Sequence, residues 1–224
     1  MQFGAIMLTT VSGHLNFVHD RYDIEAPAAG QELTWQLVGR NDPQRDSLEA
    51  FIAEVFWQRY RADIEYFAQH LIGCKNVEGA WVAAAGYSSF VDRDVFLEQY
   101  FDDPVTHAVA AAVATSESAV KIERSDLVEV SNLVATFPGG ARWLIRLITA
   151  HLHSLGLRWV LFTATHELLN AFRKVGYSPV VLTKADPMRL ASQGKSWGTY
   201  YANSPEVVCA DCYLAYERMY ASSV

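Results

Sequence analysis

Residues 121–182 read KIERSDLVEVSNLVATFPGGARWLIRLITAHLHSLGLRWVLFTATHELLNAFRKVGYSPVVL. Lys121 to Thr136 predicts a long strand, followed by the turn Phe137-Pro138-Gly139-Gly140. Leu144, Ile145, Leu147, Ile148, Leu152 and Leu155 then recur at helical spacing, and Gly156 stands where a left-handed cap belongs. Leu157 to Ala164 predicts a buried strand. Thr165 can cap a short helix that ends at Gly176, and Val180 to Leu182 opens another extended piece. Strand, helix, strand, helix, strand implies an α/β protein with a parallel or mixed sheet.

Outside this segment the pattern is less regular. The first forty residues mix short apolar runs with Pro27, Gly30 and Gly39 and predict strand-like pieces. Asp46 with Glu49 resembles a capping pair. Leu48, Phe51, Ile52, Val55 and Phe56 follow at helical spacing, and the same face continues through Ile64, Phe67, Ala68 and Leu71 until Gly73. Gly79 to Phe90 suits a strand. Asp103-Pro104 predicts a helix start, with Pro at the first helical position and the helix running to about Thr115.

Of 224 residues, 51% are hydrophobic and 19% charged, ample for a core, so a largely disordered chain is excluded. A net charge of −7 argues against general nucleic-acid binding. No apolar stretch reaches the roughly 18–20 residues of a membrane-spanning helix. MQFGAIMLTTVSGHLNF lacks a basic start and a clear cleavage site, so no secretory leader is expected. Three cysteines cannot form a paired framework, which fits a reducing, cytoplasmic setting.

Gly139-Gly140-Ala141 lies between a predicted strand and a helix N-terminus. Free N–H groups and the helix dipole make such a junction suited to phosphate, and glycine lets a ligand approach the main chain. Two glycines alone read better as an ordinary tight turn, and the spacing is neither a Walker loop nor a dinucleotide fingerprint. Glu129 lies between Leu127, Val128 and Val130. A carboxylate there is paired, functional, or turned to solvent at a strand edge; burial would raise its pKa towards the range of a useful base. Arg142, Arg146, Arg158, Arg173 and Lys174 form a basic run opposed in that stretch only by Glu167. It suits coenzyme A phosphates or an acidic carrier protein, and equally a solvated helix face.

The segment from Glu129 to Tyr177 resembles motif A and its continuation in the GNAT superfamily of N-acyltransferases. In that family a strand precedes Gln or Arg, two residues, Gly, one residue, then Gly or Ala at a helix start. Thr136-Phe137-Pro138-Gly139-Gly140-Ala141 matches both small positions and carries Thr at the first. Gly176-Tyr177 matches the Gly-aromatic ending. Glu129-Val130-Ser131-Asn132 resembles the Glu-x-Ser-Arg segment of acyl-homoserine-lactone synthases, with Asn132 departing from arginine. Across nearly the whole chain the sequence is similar to the thermostable hemolysin family. Phe51 to Phe67, Phe96 to Pro104, the central segment and Trp197 to Tyr201 carry that likeness.

These resemblances imply one domain over residues 1–224. Its sheet would be GNAT-like, mixed and mostly antiparallel, flanked by helices, with a splayed parallel strand pair at the centre. They imply an N-acyltransferase moving an acyl group, fatty in character, from acyl-coenzyme A or the phosphopantetheine of acyl carrier protein to a small amine or amino-acid-like acceptor. Glu129 and Ser131 are the implied catalytic residues. Val134, Thr136, Gly139, Gly140, Ala141, Arg142 and Asn170 would bind the donor, with main-chain N–H groups around Val134 polarising the thioester. No metal is implied. The tyrosine that relatives place four residues before the glycine of the Gly-aromatic pair is Phe172 here, so that proton donor is missing.

Remaining signals are weaker. Cys209-Ala210-Asp211-Cys212 is a lone pair of cysteines inside a predicted strand, better read as buried thiols than as zinc ligands. His166-Glu167-Leu168-Leu169-Asn170 lacks the second histidine of a metalloprotease motif. His151 and His153 fall on different helix faces. Trp197, Tyr200 and Tyr201 suit either a pocket wall or the core. Two rival functions remain: a membrane-acting protein, for which residues 46–71 would be the amphipathic helix, and a non-catalytic thioester-binding module.

Overall fold

A computed structural model describes residues 32–91, 94–114, 121–191 and 193–220. The strand-like pieces expected before residue 32 lie outside the described residues, as does Thr115, the expected end of a helix; that helix ends at Val113 with Ala114 extended. The strands are β1 (Thr34–Val38), β2 (His70–Lys75), β3 (Trp81–Ser89), β4 (Leu127–Ala135), β5 (Trp159–Ala164), β6 (Val180–Lys184) and β7 (Glu206–Asp211). They form one sheet in the order β1-β2-β3-β4-β5-β7-β6. Only β4 and β5 run parallel; every other pairing is antiparallel. The helices are α1 (Arg45–Tyr60), α2 (Val105–Val113), α3 (Gly140–Ser154), α4 (His166–Lys174) and α5 (Cys212–Tyr220). The expected mixed, mostly antiparallel sheet with a central parallel pair is therefore what the chain forms.

Alternation along β5 divides the core. Val160, Phe162 and Ala164 pack with α3, α4 and α5, while Trp159 and Leu161 pack on the opposite face with α2 and the 3-10 turn Phe96–Tyr100. On β4 the alternation changes phase. Val128 and Val130 face α3, yet Val134 faces α1. The cause is a β-bulge: Gly86 pairs with Ser131 and Ala84 with Val134, so three steps on β4 span two on β3. Asn132 takes the left-handed conformation at φ 54°, which asparagine tolerates better than most side chains.

The long helix expected over residues 46–71 ends at Tyr60. It starts at Arg45 with Gln44 as N-cap, so Asp46 is a first-turn residue, and Glu49 pairs with Arg45 rather than closing a capping box. At its C-terminus Arg61 is left-handed (φ 55°), with Arg61 N–H on Trp57 O and Ala62 N–H on Phe56 O. Tertiary groups seal this end. The N–H of Thr199 reaches Tyr60 O at 2.7 Å, and its hydroxyl does so at 3.1 Å. Gly198 fits there because a Cβ would lie 2.1 Å from Tyr60 O. The apolar residues beyond are used differently: Leu71 and Ile72 enter β2 between β1 and β3.

Smaller differences follow the same logic. The strand expected from Lys121 begins at Leu127, after a 3-10 turn at Arg124–Asp126. Pro104 is the N-cap of α2 and Val105 its first residue. Cys212 begins α5 instead of continuing β7. Gly156 and Gly176 are left-handed just past α3 and α4, as the cap positions predict.

Candidate active site

The parallel ladder between β4 and β5 covers only Leu127 to Glu129 against Trp159 to Leu161. Beyond Glu129 and Leu161 no pairing is formed, and the two strands part. β4 stays on β3 through its bulge, while β5 stays on β7 as far as Ala164. A cavity of about 590 Å³ fills the split. Its wall draws on both faces of the sheet: Leu152 of α3 and Phe172 of α4 on one, Phe56 of α1, Trp197 and Tyr200 on the other.

Glu129 stands at the apex of this split, 3% exposed. Its carboxylate is held by three donors from elsewhere in the chain. Leu97 N–H donates to Oε1 at 2.9 Å; Phe96 N–H and the Tyr66 hydroxyl donate to Oε2 at 3.3 and 3.0 Å. Burial pushes the carboxyl pKa up, with a smaller push from the like charge of Glu98, and against the downward pull of the three donors it comes to about 7. Glu129 is thus both fixed in place and able to exchange a proton near neutrality.

The bulge organises the next residues. Asn132 Oδ1 accepts Ala68 N–H at 2.9 Å and the Ser131 hydroxyl at 3.2 Å, while Nδ2 donates to Tyr66 O at 3.1 Å. One amide therefore pins the strap that carries Tyr66. Gly86 leaves room for that strap, since a Cβ would lie 2.5 Å from Ala68 Cβ. The guanidinium of buried Arg45 holds the same strap, donating to Ala68 O at 2.6 Å.

At the other end of β4, Gly139 is left-handed (φ 81°) and caps α3. Gly140 N–H is used within the turn, on Phe137 O at 3.1 Å. The first-turn amides of Ala141 and Arg142 lie at a helix N-terminus, where the ladder supplies no acceptor. Gly140 has its own packing reason, because a Cβ would lie 2.5 Å from Ala135 Cβ.

Glu129, Ser131, Val134, Gly139, Gly140, Ala141, Arg142 and Asn170 all border the one cavity. Thr136 does not. Its N–H and hydroxyl both donate to Val82 O, at 3.0 and 3.1 Å, so it fastens β4 to β3. The basic run divides: Arg142 and Lys174 border the cavity, Arg158 pairs with Asp211, and Arg146 reaches Met219 O. Asn170 Oδ1 accepts from Arg173. Trp197, Tyr200 and Tyr201 join the cavity wall as well as the core. Sequence reasoning gave no role to Tyr66, Phe96 or Leu97. All three sit in the stretches that carried the family likeness, which was the available signal.

Cys74, Cys209 and Cys212 are buried, unpaired thiols whose pKa values burial drives up. His151 turns inward to the Tyr87 hydroxyl at 3.2 Å and His153 stacks on Tyr216, the divergence expected of positions two apart on a helix. Among the described residues, no helix is long and apolar enough to cross a membrane.

The family model for thermostable hemolysin matches residues 38–216. The chain belongs to the thermostable hemolysin family. Solved structures place this family member's fold among GNAT-like synthases. FeeM, an N-acyl amino acid synthase from uncultured soil microbes, superposes with a TM-score of 0.55 at 12% identity, over 83% of this chain and 94% of that one. The AHL synthase LasI gives 0.56 at 8%, over 87% and 98%. BjaI, a CoA-dependent acyl-homoserine lactone synthase solved with SAM and isopentyl-CoA, gives 0.52 at 11%, over 86% and 89%. No curated protein matches the chain.

Proposed function

We infer that this protein is an N-acyltransferase, moving an acyl group from a pantetheine thioester to a small amine. The observation that carries the reading is the position of Glu129: a buried carboxylate with a pKa near 7, at the apex of a strand split that opens into a cavity crossing the sheet. Most small amines are protonated at neutral pH, and a thioester is attacked only by the free amine. Glu129 in its charged form would take that proton, directly or through water. Ser131 and main-chain N–H groups of the bulge would orient the reacting groups and polarise the carbonyl. The turn at Gly139 with the amides of Ala141 and Arg142 would receive a donor phosphate, helped by the Arg142 and Lys174 charges. Asn170 borders the path between them.

The donor is acyl-coenzyme A or acyl carrier protein, and the acyl group is fatty, in keeping with Leu152, Phe162 and Phe172 on the inner wall. An amino-acid-like acceptor and a cytoplasmic setting complete the reading. Its test is direct. The purified chain is incubated with octanoyl-coenzyme A or octanoyl acyl carrier protein and a mixture of the twenty amino acids with small di- and polyamines. Thiol release and a new N-octanoyl mass are expected. Absence of both with either donor overturns the reading.

A further inference from the structure

Collapse of a tetrahedral adduct expels an alkyl thiolate, which leaves more readily if it is protonated as it departs. The α4 position facing the split is Phe172, which has no proton to give. The phenols on the opposite wall differ in what holds them. Tyr66 is committed to Glu129, and Tyr100 and Tyr201 are hydrogen-bonded to one another. Tyr200 is neither. Its hydroxyl makes one loose hydrogen bond, to Thr163 O at 3.5 Å. Thr163 lies two residues past Leu161, the last β5 residue paired with β4, and it borders the cavity together with Ser131 and Tyr200. Tyr200 therefore presents its hydroxyl where the strands have parted. Its ring is fixed by edge contacts with Tyr60 at 5.2 Å and Tyr201 at 5.3 Å, so little ordering is left to be done.

We propose that Tyr200 is the proton donor to the departing thiol, a role that rests on the acyltransferase reading above. The amine nitrogen adds to the thioester carbonyl and a C–N bond forms, its proton passing to Glu129. As the adduct collapses, the C–S bond breaks with its electron pair on sulfur, and the Tyr200 hydroxyl proton goes to that sulfur to give the free thiol. The phenolate then regains a proton from Glu129 or solvent, leaving amide, thiol and unchanged enzyme. Burial holds the Tyr200 pKa above that of an ordinary phenol, so the proton is in place at neutral pH and the phenolate is too costly to accumulate; its reprotonation must keep pace with C–S cleavage.

The experiment compares two leaving groups, octanoyl-coenzyme A and the octanoyl thioester of 5-thio-2-nitrobenzoate, whose aryl thiolate departs without a proton. In Tyr200→Phe, kcat with octanoyl-coenzyme A should fall about 10²-fold, KM should stay within a factor of a few, and turnover of the aryl thioester should be nearly unchanged. Phe172→Tyr added to Tyr200→Phe should restore part of the loss. Equal losses on both thioesters, no loss on either, or the leaving-group signature appearing in Tyr60→Phe instead each overturn the assignment. Failure of the wild-type chain to turn over octanoyl-coenzyme A, octanoyl acyl carrier protein and the aryl thioester alike overturns the acyltransferase reading itself, and the assignment with it.

Discussion

The Tyr66 hydroxyl meets Glu129 Oε2 at 3.0 Å across 63 residues of sequence, joining the strap after α1 to the apex of the strand split. That bond favours the charged carboxylate, whereas the burial around it favours the neutral acid. Their balance near pH 7 sets what Glu129 can do.

Glu129→Gln keeps the shape and some of the hydrogen bonding but cannot accept a proton. Turnover should fall by about 10² to 10⁴, while calorimetric binding of octanoyl-coenzyme A survives. In the wild type the rate should rise with pH through an apparent pKa near 7, because the charged form is the active one. The variant should lose that limb. Full turnover of Glu129→Gln at neutral pH would remove Glu129 as the base.

The same carboxyl links pH to stability. Its pKa is raised from 4.5 in the free group to about 7 in the fold, so the native state holds the proton more tightly than the unfolded chain. Its contribution is fully present below pH 4.5 and is lost as pH rises towards 7, a change of up to about 3 kcal/mol. Urea titrations of wild type and Glu129→Gln between pH 5 and 8 should show stability falling with pH more steeply in the wild type. Parallel curves would mean that Glu129 is not buried as described.

Tyr66→Phe removes one of the donors that hold the pKa of Glu129 down. The acid limb of the rate profile should move to higher pH, with a stability loss of about 1 kcal/mol. A limb shifted to lower pH would contradict the hydrogen bond.

The fold was legible wherever a local signal and the tertiary structure agreed. Helices α3 and α4, their left-handed glycine caps and the flanking strands follow from apolar spacing and turn chemistry alone. The run from Ile64 to Leu71 misled because its spacing suits a helix, whereas Thr199 and Gly198, far away in sequence, seal the chain at Tyr60. In the site, the glycine turn and Glu129 announced themselves through type and context. The donors at Tyr66, Phe96 and Leu97 lie in stretches of family likeness, but an ordinary tyrosine and two main-chain amides show no role until the fold brings them to one carboxylate. The bulge was hidden for a similar reason: Asn132 breaks the alternation of β4 by its backbone angle, not by its hydropathy.

Asn132 gives a stability test of that bulge. Asn132→Gly keeps the left-handed backbone but loses the bonds to Ala68 and Tyr66; Asn132→Ala loses the bonds and also strains the backbone by roughly 1–2 kcal/mol. The expected order of stability is wild type, then Gly, then Ala, with the glycine variant down by about 2 kcal/mol. Denaturant unfolding reads the order, and an alanine variant more stable than the glycine one would exclude a left-handed residue at this position.

The last expectation concerns membranes, which the family's name brings into question. Lysis by the intact fold would need an apolar helix face free to enter lipid, and α1 was the candidate. Its Leu48, Ile52 and Phe56 instead lie buried against the sheet. Exposing three such side chains costs roughly 1.5–3 kcal/mol each, together a large part of the 5–15 kcal/mol that holds a domain folded. Release of α1 therefore amounts to unfolding. Purified protein without any thioester should leave dye-loaded phosphatidylcholine and phosphatidylglycerol vesicles intact. Leakage should develop only when donor and acceptor are both supplied, with the delay of an accumulating amphiphilic product, and Glu129→Gln should lack it. Prompt, dose-dependent release by donor-free protein would show that the fold itself attacks the bilayer, and the acyltransferase reading would then not account for lysis.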